Sequence, residues 1–243
     1  MHPLNQYLNA ATATRWRLTL ATAAIIFIGW SFAPFSYAVG VSGTHFSANM
    51  GFFFLYEFCL AMALVLMLAT EFHSVLTYLF LGVSVVSAVA GFSTAPLVMI
   101  LLLLLPVFTA LLAIDRFDLQ NGFGLFTFGA LLALTASVGC AYTTLHFVSW
   151  EIVVYLLPVI AANWCFLLPF FVERGTKQTV LLLISAALLI VSVTARPWRL
   201  PLAAAIGLVL VWAVFNLIKK APRPTLLLTS LVEMLVLVFT YWS

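Results

Sequence analysis

Apolar residues in this chain run on over lengths that suit neither a half-buried strand nor an amphipathic surface helix. Stretches such as Ile100-Leu101-Leu102-Leu103-Leu104-Leu105 do not alternate, so they do not read as membrane-barrel strands. A helix needs about 20 apolar residues to cross about 30 Å of hydrocarbon. Runs of that kind recur at 17–39, 50–70, 74–92, 96–114, 122–145, 149–172, 178–195, 200–218 and 225–242. Nine spans is the expected count, in a range of seven to nine if a weaker run is re-entrant. The expected fold is therefore all-α: a polytopic transmembrane helix bundle forming one domain over 1–243, with no sizeable soluble domain.

The polar breaks carry turn chemistry. Phe92-Ser93-Thr94-Ala95-Pro96 reads as a tight turn between spans three and four. Asp115-Arg116-Phe117-Asp118 with Asn121-Gly122 separates four from five, and Glu173-Arg174-Gly175-Thr176-Lys177 separates six from seven. Arg196-Pro197-Trp198-Arg199 and Lys219-Lys220-Ala221-Pro222-Arg223-Pro224 mark the last two breaks. Prolines fall inside the spans as well, at Pro34, Pro106, Pro158 and Pro169. Each removes a helix hydrogen bond. Span six holds two of them, with Asn163 between, and is the expected bent or discontinuous helix.

Composition narrows the class. Hydrophobic residues make up 65% of the 243 and charged residues 7%, against about 25% charged in a soluble domain. Too few polar side chains exist to coat a soluble globule. The net charge of +3 is small and dispersed, which excludes a nucleic-acid footprint. Cys59, Cys140 and Cys165 lie singly within apolar runs and read as packing residues, with no disulfide expected. Arg15 and Arg17 before an apolar run, with Ser36-Tyr37-Ala38 further on, resemble a signal peptide. The run from Leu18 to Val39 is long enough to cross a bilayer, so it is read as the first span.

Basic residues set the expected orientation. With the N-terminus cytoplasmic, Arg15, Arg17, Arg116, Arg174, Lys177, Lys219, Lys220 and Arg223 lie inside, and Arg196 and Arg199 outside. Eight against two follows the positive-inside rule. The expected location is the plasma (inner) membrane.

Ionisable side chains within a membrane are costly, so each is a candidate for function. Glu233 sits near the middle of the last span, Glu57 about two turns into span two, and Glu151 opens span six at the outer interface. A carboxyl that is loaded with a proton and unloaded again is what proton-coupled transport requires. His45 and His146 fall on the outer side in this topology, which places them with Glu57 and Glu151 around an outward-facing polar vestibule. No His spacing suits a metal, and neither a metal site nor a cofactor is expected. Gly40-Val41-Ser42-Gly43 followed by His45 matches a short serine-protease string, but Ser42 is expected in an external loop, away from any buried base. Nucleotide-binding loops and metalloprotease signatures are absent from the sequence. A match between Trp16-Arg17-Leu18 and Trp198-Arg199-Leu200, with Trp30 aligned to Trp212, is ascribed to biased composition.

Small residues are dense in spans three (Gly82, Ser84, Ser87, Ala88, Ala90, Gly91) and five (Gly129, Ala130, Ala133, Ala136, Ser137, Gly139). They let helices approach closely, and both spans are expected at the bundle centre.

Three functions fit these features, in this order. The first is a small-solute or ion transporter or permease subunit, coupled to protons through intramembrane Glu, with Glu57, Glu233, Glu151, His45, His146 and Asn163 as binding or coupling candidates. The second is a non-catalytic subunit that anchors or assembles a larger membrane complex. The third is an intramembrane enzyme acting on a lipid-like substrate. The expected partners are the lipid bilayer and, in the second case, other membrane subunits or further copies of the chain.

Overall fold

The structure is a computed structural model, and its described residues are 13–42, 48–144, 150–196, 199–218 and 224–242. Every regular element among them is helical: α1 (Ala13–Ser42), α2 (Ala48–Ala69), α3 (Val75–Phe92), α4 (Pro96–Leu112), a 3-10 turn (Asp115–Phe117), α5 (Gly122–Thr144), α6 (Trp150–Tyr155), α7 (Leu157–Phe171), α8 (Thr176–Thr194), α9 (Leu200–Leu217) and α10 (Leu226–Tyr241). With α6 and α7 taken as the two halves of span six, each of the nine apolar runs is a helical segment.

Helix ends follow the local chemistry. Pro96 and Pro201 start α4 and α9 from positions where no helix N–H is needed. Asn121 Oδ1 caps α5 by accepting from the N–H groups of Phe123 (2.9 Å) and Gly124 (3.0 Å). Thr225 caps α10 through its hydroxyl and the Leu228 N–H.

Burial is inverted relative to a soluble protein. Val86, Leu97, Val191 and Val211 are 67, 82, 63 and 68% exposed, whereas Glu57, Asn163, Ser185 and Glu233 are buried. An apolar exterior around a polar interior is the arrangement a bilayer demands. Six helices (Trp16–Tyr37, Asn49–Ala69, Val75–Phe92, Gly122–Thr143, Thr176–Thr194 and Leu200–Leu217) are long and apolar enough to cross a membrane. The other three, α4, α7 and α10, are apolar but have 17, 15 and 16 residues. At 1.5 Å per residue they reach roughly 22–26 Å. The six-residue α6 leads into α7 and restores the length of that span.

Short loops make successive helices antiparallel neighbours. The starts of α1, α3, α5, α8 and α10 therefore gather at one end of the bundle with the ends of α2, α4, α7 and α9. Contacts at this end agree: the Phe72 ring meets Phe171 at 5.5 Å. In the interior, α1 packs on α2, α5 and α10, and α7 packs on α5, α8 and α10.

The centre differs in one respect from the expectation drawn from small residues. The most apolar stretches of α2 and α5 are 72 and 67% buried, but that of α3 is only 39% buried. Span five is central as expected and span three is peripheral. α3 packs mainly on α2, and closely at one point: a Cβ placed on Gly91 would lie 2.7 Å from Phe52 Cβ of α2. Large side chains such as Phe53 and Tyr56 fill the centre instead.

Candidate functional site

Buried hydroxyls in this bundle are mostly satisfied within their own helix. Thr22, Ser87, Thr109, Thr143, Ser230 and Thr240 each donate to the carbonyl four residues back. Such bonds are local and need no function. One proline-freed carbonyl is also claimed. Pro106 has no N–H to offer Leu102, and the Tyr56 hydroxyl donates to the Leu102 carbonyl at 2.6 Å.

The break in span six is handled in the same way. It falls at Leu156, where Pro158 lies in the first turn of α7, several residues before Asn163. The Val159 N–H turns back to the Leu156 carbonyl at 2.9 Å, which frees the Tyr155 carbonyl. Arg196 donates to that oxygen at 2.7 Å, and the Tyr241 hydroxyl donates to it at 2.7 Å. The Arg196 guanidinium also lies over both rings, 4.2 Å from the Tyr155 centroid and 4.1 Å from that of Tyr241. Tyr37 of α1 closes the group, its ring 5.0 Å from that of Tyr155. Sequence reasoning used Arg196 only as a topology marker; its partners lie 41 residues from it and 86 residues apart.

The carboxyls are treated differently. Glu57, near the middle of α2, is 1% exposed. Its Oε2 accepts from the Ser31 hydroxyl of α1 at 2.6 Å, while Oε1 is buried with no hydrogen-bond partner. Glu233, near the middle of α10, is 4% exposed, and its Oε1 is likewise without a partner. Among the described residues neither carboxyl has a basic neighbour.

A layer of polar contacts runs from one acid toward the other. Next to Ser31, Trp30 donates its indole N–H to Asn163 Oδ1 at 3.0 Å, and Asn163 Nδ2 donates to the Val159 carbonyl at 2.9 Å. Two residues along α7, Cys165 is buried in the neighbourhood of Ser185 of α8 and Glu233. Met234, adjacent to Glu233, packs on Gly29 of α1, where a Cβ would stand 3.5 Å from the Met234 backbone. Five helices thus contribute to one level of the bundle: Glu57 from α2, Trp30 and Ser31 from α1, Asn163 and Cys165 from α7, Ser185 from α8 and Glu233 from α10. Only a hydroxyl or indole within an apolar run hinted at Ser31 and Trp30 in the sequence, and Cys165 read as packing.

Of the candidates read from sequence, Glu57, Glu233 and Asn163 belong to this layer. Glu151 does not: it is exposed in the first turn of α6. His45 and His146 lie outside the described residues. The outward vestibule that joined Glu57 to Glu151 is not formed by the described residues, because Glu57 is sealed between α1 and α2. Ser42 is the last residue of α1, a helix end where a loop was expected. The described residues contain no group of three or more His, Cys, Asp or Glu able to hold a metal.

Comparison with known proteins gives no match: no family model, no curated protein and no solved structure is similar to the chain.

Proposed function

We propose that this membrane-helix bundle is a small-solute or ion transporter, or a permease subunit, coupled to proton movement through Glu57 and Glu233. One observation carries the reading. Among the described residues, the buried side-chain atoms without a partner are the Thr77 hydroxyl, the indole N–H groups of Trp164 and Trp212, and one oxygen each of Glu57 and Glu233; of these groups only the two carboxyls, both near mid-helix, take up and release a proton readily. A carboxyl so placed holds a proton in one state and accepts a donor or cation in another. The helix break at Leu156, with Pro158 in the first turn of α7, supplies the discontinuous element that transporter sites commonly use. In this reading the protein sits in the plasma (inner) membrane with its N-terminus cytoplasmic.

The test is proton movement in sealed vesicles. The chain is reconstituted with a trapped pH-sensitive dye and challenged with gradients of alkali cations and small organic solutes. A gradient that moves protons in the parent chain should move few or none in Glu57→Gln and Glu233→Gln at equal incorporation. Unchanged proton movement in both variants would overturn the reading.

A specific observation favours a second function, the non-catalytic membrane subunit. Trp30, Phe128, Asn163 and Phe166 are at most 1% exposed, and Trp30 meets both Asn163 and Phe128. A core packed in this way suits a scaffold. Co-purification of other membrane subunits in fixed ratio, with no solute-driven proton movement, would select it.

A further inference from the structure

Ser31 of α1 departs from the way this bundle treats its buried hydroxyls. On the same helix, Thr22 donates to the Leu18 carbonyl four residues back, and Ser87, Thr109, Ser230 and Thr240 do likewise on other helices. A helical serine always has such an oxygen within reach, because a carbonyl that accepts a backbone N–H keeps a second lone pair. For Ser31 that oxygen belongs to Phe27. The Ser31 hydroxyl turns instead to Glu57 Oε2 of α2, at 2.6 Å. Two acceptors thus compete for one rotatable O–H.

The charge on Glu57 decides between them. A carboxylate is a stronger acceptor than a carbonyl, since charge-assisted hydrogen bonds are about twice as strong as neutral ones. An ionised Glu57 therefore holds the Ser31 O–H. A Glu57 protonated on Oε2 is itself a donor: its O–H points to Ser31 Oγ, and the Ser31 O–H is released to the Phe27 carbonyl. The two side chains stay in contact while donor and acceptor exchange. Few other charges bear on this choice. Among the described residues, α3 and α5, which pack on α2, contain no Asp, Glu, Lys, Arg or His. α10 brings Glu233, and α1 carries Arg15 and Arg17 in its first two turns, well before Ser31. Tyr56, next to Glu57 on α2, is tied by its hydroxyl to the Leu102 carbonyl at 2.6 Å.

Ser31 adjoins Trp30 on α1, and from Trp30 the hydrogen bonds lead to the break in span six. The Trp30 indole N–H donates to Asn163 Oδ1 at 3.0 Å, Asn163 Nδ2 donates to the Val159 carbonyl at 2.9 Å, and the Val159 N–H donates to the Leu156 carbonyl at 2.9 Å. A serine that bonds back to its own helix bends that helix slightly, so the swing of the Ser31 hydroxyl alters α1 next to the residue that holds Asn163. We propose that Ser31 is a positioning residue that relays the protonation state of Glu57 to the helix break at Leu156. It donates to Glu57 when the carboxyl is ionised and to the Phe27 carbonyl when the carboxyl is protonated. This role rests on Glu57 exchanging a proton, as in the function proposed above, and gives that exchange a route to the break.

Two measurements on the full chain, reconstituted in lipid across a pH series, test this role. Infrared difference spectra follow the Glu57 carboxyl band, identified by its loss in Glu57→Gln. Hydrogen exchange read by mass spectrometry follows the backbone around Leu156, with Glu57→Gln supplying the pH dependence that owes nothing to this carboxyl. In the parent chain, protonation of Glu57 should change exchange around Leu156 about tenfold, the scale of one charge-assisted hydrogen bond. In Ser31→Ala the Glu57 band should still respond to pH, while the change around Leu156 is lost. Ser31→Thr, which keeps the hydroxyl, should restore it. A change that survives in Ser31→Ala, one that Ser31→Thr fails to restore, or a parent chain in which Glu57 titrates with no change at the break would overturn the relay and leave proton transport through Glu57 standing. A Glu57 band that never responds to pH would overturn both. Absence of proton movement in sealed vesicles, with the exchange pattern as expected, would overturn the transport reading alone.

Discussion

The Arg196 clamp and the carboxyl layer face the same problem, a polar group withdrawn from water, and meet it in opposite ways. At the clamp a freed carbonyl receives two donors, and the cation that supplies one of them itself lies over two neighbouring rings. In the layer, Glu57 has one donor and one idle oxygen, and Glu233 also has an idle oxygen. The first arrangement is what a fold builds when the polar group is a by-product of a helix break. The second keeps desolvation uncompensated, which stability alone does not favour. The difference separates polar groups that hold the bundle together from polar groups retained at its expense.

The comparison breaks most visibly at Arg196. Arg196→Met keeps much of the apolar stem but removes a charged donor, worth about 1.5–3 kcal/mol, and two ring contacts, worth about 0.5–1 kcal/mol each where exposed. A loss of about 3 kcal/mol is expected, read as a large fall in melting temperature in detergent. Tyr241→Phe removes only the hydroxyl donor to the same carbonyl and should cost about 1 kcal/mol. Because both act on the Tyr155 carbonyl, the double variant should depart from additivity. Strict additivity would show that the clamp is not a unit.

Next in size is the link between α1 and α7. Trp30→Phe removes the indole donor to Asn163 and leaves a buried amide oxygen unmatched, at a cost of about 1–2 kcal/mol. The measurement is again thermal unfolding. A neutral result would mean that water or another donor replaces the indole, and the level described here would then be less closed than its side chains suggest.

Much of the scaffold could be read before the structure. The nine apolar runs became helical segments because a chain in lipid has no other way to satisfy its backbone. Their limits agree within a few residues, as at 122–145 against Gly122–Thr144. Burial of Glu57, Asn163 and Glu233 could also be read, since each lies well inside an apolar run. The partners could not. Trp30 and Asn163 are 133 residues apart, and Ser31 and Glu57 are 26 apart on different helices. Apolar runs with no clear polar face carry no rotational signal, so the sequence does not say which neighbour a buried side chain meets. The same blindness put α3 at the centre: small residues report close approach to one helix, not to many. It also hid the clamp, because Arg196 read as a charge outside the membrane when its role is to close a break inside it.

The smallest expected effect is the most discriminating, because its sign differs between the two acids. Glu233→Leu removes a carboxyl that has an unpartnered oxygen and no basic neighbour, and replaces it with a side chain suited to its apolar surroundings. Stability should be unchanged or should rise by about 1 kcal/mol. Glu57→Leu removes a similar burden but strands the Ser31 hydroxyl, whose bond to Oε2 is 2.6 Å. It should therefore fall below Glu233→Leu by about 1 kcal/mol. Adding Ser31→Ala to Glu57→Leu should recover that difference. If instead Glu233→Leu unfolds the protein as severely as Arg196→Met, the carboxyl is a structural group with a partner of its own. The contrast between the two regions would then vanish, and with it the ground for assigning Glu233 a role in proton movement.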